Sequence, residues 1–228
     1  MTRTLSVLMP VHNEERTLAE VLDRVEARPE VSELVVVDDA STDGTARILA
    51  ERAFQVPVRL IRQPRNRGKG AAVRAALQAA SGDLALIQDA DLEYDPTDYP
   101  RLLAPFQRGD VTAVFGTRNF TSHNAYSFWF VVGGKVTTLW GNLLFNTYMS
   151  DMHGGYKLMP LELWRSLDLR SDGFDMDSEV TAKLLRRGHR IYEVPISYAA
   201  RTRAEGKKLR WQDGLGSLWT LTRIRAGR

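Results

Sequence analysis

Four short apolar runs, at residues 5–9, 34–37, 58–61 and 84–87, alternate with stretches of helical periodicity toward the start of the chain. Runs of four or five apolar residues are too short for buried helices and suit strands covered on both faces. Helices between them supply the crossovers that parallel neighbours require. The pattern therefore predicts an α/β domain with a mostly parallel sheet flanked by helices. Intervening signals agree. Leu18, Val21, Leu22 and Val25 share one helical stripe, Ser41-Thr42-Asp43-Gly44-Thr45 carries N-cap chemistry, and an alanine-rich helix at 71–80 stops at Ser81-Gly82. Further on, a helix is expected at 99–106, strands at 111–115 and 191–194, and a last helix at 211–224.

A chain of 228 residues fits one sizeable domain, read here as residues 1–210 carrying a C-terminal amphipathic basic helix at 211–228. The absence of cysteine excludes disulfides, thiolate metal sites and a cysteine nucleophile. The N-terminal apolar run is too short for a signal peptide, and no window reaches the ~18 apolar residues of a membrane span. A cytoplasmic protein is expected, at most peripheral on the inner leaflet. Net charge is only +3, but it is unevenly spread. Arg201, Arg203, Lys207, Lys208 and Arg210 face a single acid, Glu205, and Arg223, Arg225 and Arg228 end the chain. Such clustering points to an anionic partner.

The chemistry concentrates at the ends of the apolar runs. The run at 84–87 breaks directly into Asp89, Asp91 and Glu93, and that at 34–37 into Asp38-Asp39. Ligands of open α/β sheets bind beyond the carboxyl ends of the strands. If the segment stays extended, Asp89, Asp91 and Glu93 share one face and could converge on a hard divalent cation, Mg²⁺ or Mn²⁺. Asp38 and Asp39 could accept from the donors of a base or ribose. The bland alternative is a solvated acidic turn. Two familiar nucleotide motifs are rejected: Gln63 and Gly70 stand where a P-loop needs glycine and Ser or Thr, and Val73 where the dinucleotide fingerprint needs its third glycine.

Seven motifs then occur in the order found in family 2 glycosyltransferases of the GT-A (Rossmann-like) fold. They are Pro10-Val11-His12-Asn13-Glu14, the stretch from Asp38 to Thr45, Asn66-Arg67-Gly68-Lys69-Gly70, Asp89-Ala90-Asp91-Leu92-Glu93, the stretch from Asp151 to Lys157, Gly173-Phe174, and Glu193-Val194-Pro195-Ile196 followed by Arg201. Within that family the chain resembles the polyprenyl-phosphate (dolichyl-phosphate) mannose and glucose synthases. The resemblance implies a metal-dependent, inverting transfer of a hexose from a GDP- or UDP-hexose to a polyprenyl phosphate at the membrane surface. It implies that Pro10, His12, Glu14, Asp39, Lys69 and Ala90 serve the nucleotide-sugar. Asp89, Asp91 and Glu93 would handle sugar, diphosphate and metal, and Arg118 and Arg201 would meet phosphates, with Arg203, Lys207 and Lys208 beside them. Nucleic acid is not among the implied partners; a homodimer is allowed. The chain departs from the pattern at His153-Gly154-Gly155-Tyr156-Lys157, where many synthases carry Thr-Ser-Gly-Phe-Arg.

Two acceptor chemistries follow. A hydroxyl acceptor needs a general base, for which Asp151 and Asp177 are the candidates, whereas a phosphate monoester is already ionised and needs cations. A catalytically inactive sugar-nucleotide binding module is the third reading, disfavoured by the intact acidic set. The aromatics between residues 126 and 148 suit core packing, a dimer contact, or a membrane interface holding a prenyl chain. On the last helix Trp211, Leu215, Leu218, Trp219 and Thr222 form one stripe, expected to pack on the sheet, with membrane contact the alternative that flanking Arg210, Arg223, Arg225 and Arg228 suggest.

Overall fold

The computed structural model describes residues 3–118, 127–201 and 211–227. Strands β1 (Leu5–Val11), β2 (Val31–Asp38), β3 (Val58–Arg62), β4 (Leu84–Ile87), β5 (Ala113–Arg118), β6 (Lys157–Pro160) and β7 (Ile191–Ile196) form one sheet in the order β3-β2-β1-β4-β6-β5-β7. All pairings are parallel except those of β6, which runs antiparallel between β4 and β5. Its four residues, with Lys157 at the start, carry no strand signal; the sequence reading missed it.

Period-two alternation builds the core on both faces. Val7, Met9, Leu34, Val36 and Leu86 face one side, toward α1 (Leu18–Glu26) and α4 (Tyr99–Leu103). Leu8, Val35, Val37, Ile87 and Phe115 face the other, covered by α3 (Lys69–Ala79), α6 (Leu161–Ser166), α7 (Met176–Arg186) and α8 (Trp211–Arg225). α2 (Thr45–Glu51) follows β2. Full burial of these strands explains their unbroken apolar runs.

Three expectations need correction. The helix expected at 99–106 is divided into α4 between two 3₁₀ turns, Pro96–Asp98 and Ala104–Arg108; Pro105 offers no N–H to continue the α-helical ladder. Of the three readings of the aromatic stretch, core packing is the one from which its helix, α5 (Phe128–Phe145), departs: Phe128, Trp129, Leu139 and Leu143 are exposed, and Leu144 and Phe145 pack only partly buried against the core. On α8 the buried residues are Ser217, Thr220, Leu221 and Ile224, so Leu215 and Trp219 of the expected inner stripe point outward. That helix packs chiefly on α5 and α7, and its Leu221 and Ile224 join the core on that side of the sheet.

Candidate active site

Strand order reverses at β1, with β2 on one side and β4 on the other. Chain connections diverge at such a point and leave a crevice beyond the strand ends. A cavity of about 410 Å³ opens there. Each loop leaving β1, β2 and β4 turns through a left-handed residue that is not glycine: Asn13 at φ 52°, Ala40 at 56° and Leu92 at 60°. Backbone of this kind costs ~1–2 kcal/mol per residue and persists where surrounding contacts hold it. Asn13 shows how. Its N–H donates to Ser41 Oγ at 3.0 Å, and its Oδ1 accepts from the Thr42 N–H at 2.8 Å.

One wall comes from the first two loops. His12 Nδ1 donates to the Asp39 carbonyl at 2.9 Å and Nε2 accepts from the Asn66 amide at 2.9 Å, which assigns the proton to Nδ1. Asp39 accepts from the Arg67 and Gly68 N–H groups at 2.8 and 2.7 Å. Gly68 sits at φ 95°, and a Cβ there would stand 2.5 Å from the Asp172 carbonyl oxygen. The α3 N-terminus is therefore closed, because that same oxygen accepts from the Gly70 N–H at 2.8 Å. Pro10, His12, Asp39 and Ala90 all line the cavity. Asp38 does not. Its carboxylate turns away to accept from the Ser41 N–H at 2.8 Å and to pair with Arg62 at 3.3 Å, so it shapes the loop.

The acidic segment forms the floor. Leu92 turns the chain out of an extended path, so the alternation argument for three converging carboxylates fails there. Asp89 pairs with Lys69 at 2.6 Å. Asp91 pairs with Arg201 at 2.8 Å, and Arg201 also reaches Glu14 at 3.0 Å. Glu93 is buried, accepting from the Tyr198 hydroxyl at 3.1 Å and the Arg201 N–H at 3.0 Å. Among the described residues, no three acids or histidines form a metal-ready cluster. Asp89, Asp91 and Glu93 all line the cavity; Asp89 and Asp91 fit a hard cation, while Glu93 is tied to Tyr198 and the Arg201 N–H. Burial and the neighbouring Asp89 and Glu93 push the Asp91 carboxyl up to about 7. That is a site short of positive charge, and Mg²⁺ commonly takes one or two carboxylates and completes its shell with substrate phosphates.

The far wall is built on buried ion pairs. Arg118 lines the cavity and grips Asp151 in two parallel hydrogen bonds, 2.7 and 2.9 Å. Burial opposes ionisation of Asp151, yet Arg118 holds its carboxyl below the usual range. Asp177 pairs with the wholly buried Lys157 at 2.7 Å. Here too burial is overcome, by Lys157 and Lys69, and the Asp177 carboxyl is lowered. Neither acid has the raised pKa suited to a general base, the role the hydroxyl-acceptor alternative gives them. His153, at the cavity edge, bonds Thr137 Oγ1 through Nε2 at 2.5 Å, and burial drops its pKa to about 4. Gly155 lets the loop before β6 pass close: a Cβ there would lie 2.7 Å from Asp89 Oδ2.

Glu14, Lys69, Asp89, Asp91, Arg118, Asp177 and Arg201 thus meet in one cavity, while Arg203, Lys207 and Lys208 lie outside the described residues. Sequence reasoning missed Tyr94, whose hydroxyl accepts from the Gly155 N–H at 2.9 Å, Phe130 at the mouth, and Lys157 beneath Asp177. A lone tyrosine or phenylalanine carries no signal of this kind. Lys157 carried no local signal either, because its strand is unmarked and its partner Asp177 lies twenty residues on.

Comparison with known proteins agrees with this architecture. The low-salt glycan biosynthesis hexosyltransferase of Haloferax volcanii is 31% identical over 87% of this chain, which spans 48% of that relative. The dolichol-phosphate mannosyltransferase of Pyrococcus furiosus is 28% identical over 89% of this chain and 58% of its own length. The undecaprenyl-phosphate mannosyltransferase of Micrococcus luteus is 28% identical over 99% of both chains. The chain thus spans about half the length of the first two. In fold it matches the glucosyl-3-phosphoglycerate synthase of Mycobacterium tuberculosis, crystallised with Mn²⁺, uridine-diphosphate-glucose and phosphoglyceric acid. That match has a TM-score of 0.75 at 22% identity, over 98% of this chain and 80% of the other. Residues 6–164 fit the family described as glycosyl transferase family 2, to which this chain belongs.

Proposed function

We propose that the protein transfers a hexose from a nucleoside-diphosphate sugar to a polyprenyl phosphate, with inversion and with a divalent cation. The observation that carries the acceptor class is the state of the two candidate bases, of which Asp177 but not Asp151 lines the cavity. Asp151 and Asp177 are each locked to a buried cation and held ionised. A hydroxyl acceptor would need one of them free to take a proton. A phosphate monoester arrives already ionised, with a second pKa of about 6, and needs only orientation and charge neutralisation. Arg118, held at the cavity wall by Asp151, supplies positive charge for that task.

The donor's nucleoside would lie along His12 and Asp39, and its diphosphate toward Asp89, Asp91 and Lys69. A phosphate oxygen of the acceptor attacks the anomeric carbon opposite the leaving group. The new C1–O bond forms as the C1–O bond to the β-phosphate breaks, and nucleoside diphosphate departs with the bonding pair. A divalent cation held by Asp89 and Asp91 would supply Lewis-acid stabilisation of that leaving charge. The Mycobacterium tuberculosis synthase, crystallised with Mn²⁺ and a UDP-sugar, and the polyprenyl-phosphate transferases among the relatives support this reading.

The test is a panel of GDP- and UDP-hexoses with Mg²⁺ or Mn²⁺, with and without polyprenyl phosphate. Nucleoside diphosphate release and label entering the organic phase should both require the lipid. Full activity in EDTA, or transfer only to sugar hydroxyls, overturns the proposal.

A further inference from the structure

α5 is inverted relative to an ordinary surface helix. Its buried residues are Thr137, Thr138 and Gly141, while Phe128, Trp129, Val136, Leu139 and Leu143 face outward. Surface helices of globular proteins bury their apolar stripe and expose the polar one. The exposures here are large: 77% for Trp129 and 67% for Leu143. α8 extends the same face. It lies alongside α5, with Trp140 Nε1 donating to Thr222 Oγ1 at 3.0 Å and Arg225 Nε to the Leu144 carbonyl at 2.8 Å. Its small residues Ser217 and Thr220 are buried, while Leu215 and Trp219 are left outside, the latter 68% exposed. Single exposed apolar side chains are ordinary, but a group spread over two adjoining helices marks a surface that something covers.

We propose that the outer face of α5 and α8 docks on an anionic lipid bilayer, lying on it without crossing. The inference rests on the lipid-acceptor reading above and names the surface that presents such an acceptor. Charge selects the occupant. α5 contains no acid and one base, Lys135. Beside its far end stands Arg225 of α8, whose Nε donates to the Leu144 carbonyl, while Arg186 and Arg223 line a separate crevice with Asp168 and Glu179. An apolar face edged by cations complements anionic headgroups over an acyl layer. Residue type agrees, because Trp129 and Trp219 combine an apolar ring with one polar N–H, as the bilayer interface favours. Continuity with the cavity is the third argument. Phe130, in the first turn of α5, lines the cavity, and its ring centre lies 5.9 Å from the Arg118 guanidinium carbon. An acceptor with its phosphate at Arg118 would find its apolar chain beside this helix. No helix among the described residues is long and apolar enough to cross a membrane. A second copy on the same face would bring two sets of Lys135 and Arg225 into one interface, with Asp213 the one acid on α5 and α8.

The test is flotation of the full chain with vesicles of phosphatidylcholine alone or mixed with phosphatidylglycerol. Binding to the mixed vesicles is expected, weakening as salt rises, with little to phosphatidylcholine. The double variant Leu139→Glu, Leu143→Glu removes two outward leucines and should partition about a hundredfold more weakly, at an unchanged melting temperature. Failure of the wild type to float, equal binding to both vesicle types, or a double variant that floats like the wild type overturns the proposal. So does a concentration-dependent dimer in sedimentation that the variant abolishes. Turnover on a short, water-soluble prenyl phosphate without vesicles separates this proposal from the one it rests on. Transfer without vesicle binding removes the docking face and keeps the acceptor. Vesicle binding without transfer to any prenyl phosphate does the reverse.

Discussion

Asp151→Asn separates a general base from a strut. Side-chain exposure is 6% for Arg118 and 8% for Asp151, so the pair is dry on both sides. Breaking a buried pair from one side strands the other charge, at ~3–5 kcal/mol. Asparagine keeps the shape and one acceptor oxygen, which places the loss near ~3 kcal/mol. For a domain of this size that lowers the melting temperature by roughly 6–12 °C. Because the Asp151 carboxyl is lowered in the folded state, its contribution is present above the unfolded value of ~4 and lost as pH falls through the lower folded one. The gap between wild type and variant in urea unfolding should therefore be full at neutral pH and shrink in acid. Turnover should fall with the loosened Arg118, while the pH profile of kcat/KM keeps its shape. Replacing both partners, Arg118→Met with Asp151→Leu, should recover most of the stability and none of the turnover. A variant of wild-type stability that loses turnover and the acid limb of its profile would refute this and restore Asp151 as base.

Three further outcomes are expected. Burial, Asp89 and Glu93 raise Asp91 to about 7, so its contribution to apo stability is full below ~4 and is lost as pH rises through 7. Mn²⁺ with nucleoside diphosphate should then release more protons per site at pH 6 than at pH 8, with an excess that Asp91→Asn removes, measured calorimetrically in buffers of different ionisation enthalpy; equal release at both, or an excess undiminished in Asp91→Asn, rules this out. Asp39→Ala frees the Arg67 and Gly68 N–H groups and should weaken nucleoside diphosphate binding by about tenfold or more, ~1.4 kcal/mol, in calorimetry; unchanged affinity assigns recognition elsewhere. Arg201→Ala should cost at least about tenfold in turnover on a polyprenyl phosphate, a larger loss than Asp177→Asn per folded molecule, and the reverse order would favour a hydroxyl acceptor.

What the sequence made legible followed from burial. β1, β2 and β4 are covered on both faces, so their apolar runs announced them and the acids after Val37 and Ile87 marked the strand ends facing the cavity. β6 stayed hidden because its pairing is set by β4 and β5, and its Lys157 is satisfied by Asp177, twenty residues away in sequence. The roles within the acidic set were illegible for a local reason. Spacing can show which residues alternate only while the backbone remains extended, and Leu92 at φ 60° breaks that premise between Asp91 and Glu93. The helices failed in the opposite way. α5 and α8 do have a two-sided composition, but a helical stripe says only that two faces differ, not which one is turned to protein. Here Gly141 packs against Met152 and Leu221 while Leu143 meets solvent, because the close approach of α5 to its neighbours selects small residues on the inner face. The face that sequence reading would place inward is then the one left for another phase to cover, and it begins at Phe130, on the edge of the cavity where an apolar acceptor would have to enter.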